Sequence, residues 1–257
     1  RQALSETGSA DNTILLFTSD NGPAFGLRPD QVPTGMSNDT QRFNCGLAGA
    51  KGSVLEGGIR VPMVLHWPDG LPRDREVHDL VHFTDWLPTL LAAAGAAHAG
   101  TKPVDGINIL DTLRGFPEPV PPRYWQWNVY SPFGLTNAAI REGDWKLVRP
   151  RVDLAFATAA DAALQDRYTD LDIEYKYHRE RVTASADWPE PLRVRPDIPP
   201  PMLFHLADDP GEQHDLAAQD PDRAYAMARR LDTWFEEVEA ERLAIASENR
   251  QPVPVGA

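Results

Sequence analysis

A single cysteine, Cys45, in 257 residues removes two classes of protein at once. No intrachain disulfide framework can form, and no zinc site can be built on cysteine thiolates. Long apolar runs are also missing, since no stretch approaches the roughly 18–20 residues of a membrane-spanning helix. Positive charge is in deficit, with 25 Lys and Arg against 38 Asp and Glu and a formal net charge of −13. That balance disfavours a nucleic-acid partner, because affinity for phosphate backbones rests largely on lysine and arginine. A small anionic substrate stays open, because one cation or one lysine can reverse the potential locally. The opening RQALSETGSADN, from Arg1, lacks the charged, apolar and small-residue succession of a signal peptide. It reads as the end of a helix within a longer protein, so no compartment can be taken from it.

Thr13 to Thr18 (TILLFT) is a short apolar run closed by Asp20-Asn21-Gly22. Its length and flanks predict a strand buried on both faces, as in a parallel or mixed sheet. Met63 to Trp67 (MVLHW), between Pro62 and Pro68-Asp69-Gly70, predicts a second core strand. HFTDWLPTLLAAAGA predicts a helix with Thr84 as N-cap, Asp85 at its positive end and Pro88 in its first turn. Leu87, Leu90, Leu91 and Ala94 form its apolar face, and Gly95 stops it. Strand, loop, strand and helix in this order indicate a layered α/β domain over residues 1–122.

FPEPVPPR then marks a boundary. Residues 123–257 predict a smaller subdomain with short strands at Tyr124 to Val129, Asn137 to Arg141, Trp145 to Val148 and Met202 to Leu206. Gly143-Asp144 is a tight hairpin tip. A long helix follows over 221–246, with Asp220 as N-cap and Pro221 at the first helical position. Its apolar face is Ala224, Met227, Ala228, Leu231, Trp234, Phe235 and Val238, laid on an antiparallel sheet. Residues 150–200 are polar, Pro-rich and weakly patterned, and read as an excursion over the surface. No internal repeat is visible.

Three residues carry candidate chemistry. Asp20 and Asn21 follow a strand directly, where ligands bind in α/β sheets. A carboxylate beside an amide carbonyl offers the hard oxygens that Ca²⁺ or Mg²⁺ prefers, although Asp-Asn-Gly is also a common turn. Lys51 lies in GLAGAKGSVLEGGIRVP, where Gly46, Gly49, Gly52, Gly57 and Gly58 let the backbone bend around one long cationic side chain. A P-loop is excluded, because Ala50 precedes the lysine and Gly52 follows it. By composition alone Lys51 reads first as a solvated lysine in a flexible loop. Glu56 and Arg60, four apart, can simply pair with each other or with their surroundings. Cys45 has no activating partner in FNCGLAG and reads as a buried or spare thiol.

Five blocks in order, over about residues 11–245, resemble the later part of a formylglycine-dependent sulfatase of the arylsulfatase type, within the alkaline phosphatase-like superfamily. FTSDNG with GAKGSVLEGGIRVP is the first, and HFTDWLPTLLAAAGA resembles the family's Asp-x-x-Pro-Thr helix. DGINILDTLRG, AIREGDWKLV and LFHLADDPGEQHDLA resemble three further family segments. The resemblance implies that Asp20 and Asn21 are two metal ligands, for Ca²⁺ or with Mg²⁺ as a substitute. Lys51 becomes the lysine that holds the sulfate, and Glu56 to Arg60 a mostly structural run. It implies a formylglycine nucleophile from a Cys/Ser-x-Pro/Ala-x-Arg motif, which Asn44-Cys45-Gly46-Leu47-Ala48 does not match. The nucleophile, the first pair of aspartate ligands and the catalytic histidines are thus expected upstream of this chain. Alone, the chain is expected to be inactive and to need that N-terminal part as its partner.

A sulfated carbohydrate or aryl ester is the implied substrate, and the implied location is periplasmic or extracellular. In the loop between Asn21 and Lys51, Arg28, Asn38, Arg42 and Asn44 are candidate substrate contacts. Trp125 and Trp127 can stack on a sugar or belong to the core. Two alternatives remain at this point: a phosphate or phosphonate ester hydrolase of the same superfamily, and a non-catalytic anion- or glycan-binding remnant.

Overall fold

The computed structural model describes residues 1–25, 43–128, 132–152, 155–182, 188–194 and 197–249. Arg28, Asn38 and Arg42 lie outside them. Among the described residues no helix is long and apolar enough to cross a membrane. The chain forms two compact units that interleave in sequence: residues 1–20 with 61–123, and residues 21–60 with 124–257.

The first unit contains α1 (Gln2–Glu6) and β1 (Leu15–Thr18), and the second contributes α2 (Glu56–Ile59) before the chain returns to the first at β2 (Met63–His66). β1 pairs antiparallel with β2, Leu16 opposite Leu65 and Phe17 opposite Val64. The burial predicted for these strands is not realised: Phe17 is 67% exposed and Val64 62%. The pair is a two-stranded sheet, and nothing among the described residues covers these side chains.

A 3₁₀ turn (Phe83–Asp85) leads into α3 (Trp86–Ala93). The cap is His82 rather than Thr84. The His82 Nδ1 accepts from the Thr84 amide at 3.3 Å, and the Asp85 carboxylate accepts in return from the His82 amide at 2.8 Å. Thr84 instead places its hydroxyl 2.8 Å from the same ring nitrogen. Leu87 and Leu90 stay exposed, whereas Thr89 is buried and its hydroxyl accepts from the Ile109 amide at 3.0 Å, ahead of α4 (Leu110–Arg114). Asp85, fully buried, also accepts from the Ile107 amide at 2.9 Å and from Arg123 at 2.5 Å. A buried carboxylate tolerates this position because three donors replace its water.

The second unit is organised by a four-stranded sheet in the order β3 (Arg123–Gln126), β4 (Ala138–Glu142), β5 (Trp145–Arg149) and β8 (Met202–His205). β4–β5 and β5–β8 are antiparallel, and Gly143 turns the hairpin in the left-handed region. Side chains alternate between two covered faces. Ala138, Ile140, Leu147 and Leu203 pack on Ala224, Met227 and Leu231 of α6 (Pro221–Asn249). Trp234 of α6 stacks on Tyr124 at 5.0 Å, and Arg149 pairs with Asp232 at 2.7 Å. Asp220 caps the helix by accepting from the Arg223 amide at 3.1 Å.

The opposite face, Ala139, Val148 and Phe204, is covered by Val54 with Leu55 beside it. Burying one such side chain contributes about 2 kcal/mol. Residues 150–200 hold more structure than their composition predicts. β6 (Ala155–Phe156) pairs antiparallel with β7 (Arg193–Val194), and between them runs α5 (Ala159–Tyr177) with no buried residue. Thr158 caps α5 by accepting from the Asp161 amide, while Trp188 packs edge-on to Tyr168.

Candidate functional site

Three backbone segments of the second unit meet around Lys51. The amide of Gly22 donates to the Gly58 carbonyl at 2.9 Å, the amide of Lys51 to the Pro23 carbonyl at 3.0 Å, and the amide of Gly57 to the Ala48 carbonyl at 2.6 Å. Side chains cannot fit between strands of backbone this close. A β-carbon on Gly22 would collide with the Gly57 carbonyl, one on Gly57 with the carbonyls of Ala48 and Gly49, and one on Gly58 with that of Ser53. The glycines therefore do not make a flexible loop here; they allow a stack of backbones. Asn21 and Lys51 are brought together through this stack, with the Asn21 side-chain amide donating to the Gly22 carbonyl at 2.8 Å.

Lys51 is exposed, and among the described residues its ammonium makes no ion pair. Asp20, the last residue of the first unit, is also exposed and directly follows β1 and Ser19. Among the described residues no group of three or more His, Cys, Asp and Glu could hold a metal ion. Asp20 and Asn21 suit a hard cation by donor type, as two of the six to eight oxygens Ca²⁺ takes. Asn44 directs its amide into its own loop, donating to the carbonyls of Leu47 at 2.6 Å and Gly49 at 3.0 Å. Cys45 is exposed, in a left-handed turn.

Beneath the stack lies a buried ionic cluster that sequence reasoning does not find. Lys146, fully buried on β5, reaches Glu56 at 2.9 Å and Glu212 at 2.8 Å. Glu212 also accepts from the Glu56 amide at 2.6 Å, joining the start of α2 to the turn after β8. Of the two pairings the spacing leaves open, the one with the surroundings is the shorter: Glu56 meets Lys146 at 2.9 Å and Arg60 at 4.0 Å. Burial pushes the Glu212 carboxyl above its ordinary value, with Lys146 opposing. In the first unit, burial and then Arg123 lower the pKa of His82 while Asp85 opposes, a direction that favours the neutral ring and suits its role as acceptor.

Asn137 is the second hidden support. It is buried with φ +49, accepts at Oδ1 from the Val54 amide at 3.1 Å, and donates from Nδ2 to the carbonyls of Gly52 at 2.8 Å and Trp127 at 2.9 Å. One side chain thus fixes the loop on both sides of Ser53 and ties it to the end of β3. Trp125 belongs to the core on this face, whereas Trp127 is 44% exposed.

Residues 1–96 match the family model described as Sulfatase. Human N-acetylgalactosamine-6-sulfatase is 38% identical over 112 residues, covering 44% of this chain and 20% of that protein. Mouse arylsulfatase J is 28% identical over 247 residues, covering 89% of this chain and 36% of that protein. The crystal structure of Ps i-CgsB in complex with k-i-k-neocarrahexaose superposes with a TM-score of 0.57 at 25% identity, over 91% of this chain and 38% of that one. The chain thus spans between a fifth and about two fifths of the length of these proteins. Mixed α/β architecture, antiparallel sheets under a C-terminal helix and the matches along nine-tenths of its length agree: residues 1–96 match the sulfatase family model, and the chain as a whole is similar to sulfatases.

Proposed function

We propose that this chain is the part of a sulfate-ester hydrolase that supplies two ligands of a divalent cation, Asp20 and Asn21, and the sulfate-binding Lys51. The nucleophile, expected as formylglycine, and the remaining ligands come from sequence outside these 257 residues. The observation that carries this reading is the backbone stack. It holds an exposed ammonium on a rigid loop beside the Asn-Gly turn, with Gly22 bonded to Gly58 and Lys51 to Pro23. A sulfate ester is already an anion, and an oxygen nucleophile adds further negative charge as the S–O bond breaks. A cation fixed in advance stabilises that charge without reorganising at the moment of reaction. Ca²⁺, if bound by Asp20 and Asn21, would supply Lewis-acid polarisation of a sulfate oxygen. Lys51 would hold a second oxygen of the same group.

The substrate is proposed to be a sulfated carbohydrate, with aryl sulfates as small surrogates. N-acetylgalactosamine-6-sulfatase and the structure in complex with k-i-k-neocarrahexaose are the relatives that support a sugar. A periplasmic or extracellular location rests on family resemblance alone. The test compares 4-nitrophenyl sulfate with 4-nitrophenyl phosphate in the protein carrying the upstream residues. Sulfate turnover is expected to dominate, and Lys51→Ala to lower kcat/KM about 100- to 1000-fold, the loss typical of removing one fixed donor to a developing oxyanion. Phosphate turnover in excess of sulfate, or full activity in the alanine variant, would overturn the proposal.

A further inference from the structure

Gly52, the residue after Lys51, has φ +83 and an α-carbon facing two large side chains. A β-carbon built there would lie 3.5 Å from Nη1 of Arg151 and 3.6 Å from Cη2 and Cζ3 of Trp127. The Arg151 guanidinium carbon sits 5.5 Å from the centroid of the Trp127 indole. Arg151 is exposed, and Trp127 keeps 44% of its surface in water. The indole does not hang from a loose loop. The Trp127 amide donates to the Asn137 carbonyl at 3.1 Å, and its own carbonyl accepts from the same Asn137 side chain that binds Gly52. An indole that could have packed in the core, as Trp125 does, is instead held half-open at the edge of the Lys51 loop.

A flat apolar face beside a guanidinium has a specific chemical complement. The C–H face of a pyranose stacks on indole, and an oxyanion on the ring pairs bidentately with arginine. We propose that Trp127 and Arg151 form a subsite for the sugar ring next to the one carrying the scissile sulfate, with a sulfate or carboxylate of that neighbouring ring on Arg151. This rests on the sulfatase reading, in which Lys51 holds the scissile group. The subsite makes the enzyme selective for a polyanionic oligosaccharide over an isolated sulfate monoester.

The experiment measures kcat/KM of the protein carrying the upstream residues on 4-nitrophenyl sulfate and on three sulfated disaccharides. Their second ring bears a sulfate, a carboxylate or no charge. Trp127→Ala is expected to lower the disaccharide-to-aryl ratio of kcat/KM about tenfold, the effect of losing ~1.4 kcal/mol of stacking. Trp127→Phe is expected to recover most of it. Arg151→Gln is expected to lower the ratio only for charged second rings, and the arm more affected identifies sulfate or carboxylate as the partner. An unchanged ratio in Trp127→Ala and Arg151→Gln overturns the subsite, because a purely structural role would lower all substrates together. If no sulfate ester turns over, the sulfatase reading fails separately. The subsite is then judged by calorimetric binding of the disulfated disaccharide: weaker binding in both variants supports it, and equal binding overturns it.

Discussion

Replacing Lys146 by methionine tests whether the buried ionic cluster holds the Lys51 loop in place. The side chain is fully buried, with its ammonium 2.9 Å from Glu56 and 2.8 Å from Glu212. Methionine preserves most of the volume, so little of the effect arises from a cavity. What it leaves is two buried carboxylates without their shared counter-charge. Glu56 retains only the distant guanidiniums of Arg141 at 3.9 Å and Arg60 at 4.0 Å, and Glu212 retains the Glu56 amide. Breaking a buried pair from one side costs about 3–5 kcal/mol, because the surviving charge is stranded. For a chain of this size that corresponds to a fall in melting temperature on the order of 10 °C. Urea unfolding at pH 7, followed by tryptophan fluorescence, reads the loss directly. Two internal controls sharpen the result. Acidification towards pH 5 is expected to shrink the deficit, since the stranded carboxyls can then protonate. The triple variant Glu56→Gln, Lys146→Met, Glu212→Gln is expected to be more stable than Lys146→Met alone, because no charge remains buried. A loss below about 1 kcal/mol at pH 7, or a triple variant weaker than the single, would refute the reasoning.

Glu212→Gln addresses the same cluster through pH. Burial raises the folded-state pKa of this carboxyl, so its contribution to stability is fully present below the ordinary value of 4.5 and is lost as pH rises through the folded value. Stability measured from pH 4 to 7 is therefore expected to show a smaller decline with rising pH in the glutamine variant, and an unaltered slope would contradict this. His82 works in the opposite sense, because its folded pKa is lowered from 6.5. Stability is expected to fall as pH drops through 6.5, and His82→Asn, which can still cap the turn, should flatten that fall in thermal melts between pH 5 and 7.5. Gly22→Ala would drive a methyl group into the Gly57 carbonyl, and is expected to destabilise by about 3 kcal/mol or more with loss of Lys51-dependent turnover. Wild-type melting in that variant would show that the backbones can separate at little cost.

The parts of this structure that were legible in the sequence are those whose cause is local. Gly143-Asp144 turns a hairpin between two apolar runs, and the stripe from Ala224 to Trp234 repeats at helical spacing, so β4, β5 and α6 are where the pattern places them. Thr84 does not cap this helix: His82 caps the 3₁₀ turn that precedes α3, a role in which a histidine ring nitrogen accepts where the pattern predicts a threonine hydroxyl. The helix α5 was missed for a different reason: none of its residues is buried, so there is no apolar face to detect. For β1 the apolar run announces a preference for burial, but a run of residues does not say whether the surface that covers it lies among the same residues. The site's supports were illegible because they span the chain. Asn137 meets Val54 across 83 positions, and Glu212 meets Glu56 across 156. No window of neighbouring residues contains either pair. A unit assembled from 21–60 and 124–257 is equally invisible to a reading that divides the chain at one point.

The arrangement separates two kinds of residue with different kinetic signatures. Lys51 is exposed and has no ion-pair partner among the described residues, whereas the groups that fix its loop are buried and fully committed: three glycines, Asn137, Glu56, Lys146 and Glu212. That division suits a cation that must meet an anion without first rearranging, since the reorganisation cost is met during folding rather than during each turnover. On the proposed reading of Lys51 as the sulfate-binding lysine, a change to a buried support would move its ammonium relative to every substrate alike, and a displacement near 1 Å can lower rates about 100-fold. Such variants should therefore depress aryl and oligosaccharide sulfates in parallel, together with stability. Trp127 stands on the same Asn137 anchor, and both it and Arg151 are exposed. Their loss is expected to alter the ratio between substrates and leave the melting temperature nearly where it was. Comparing the two classes of variant in one protein separates support from recognition, although both converge on Gly52 and the lysine before it.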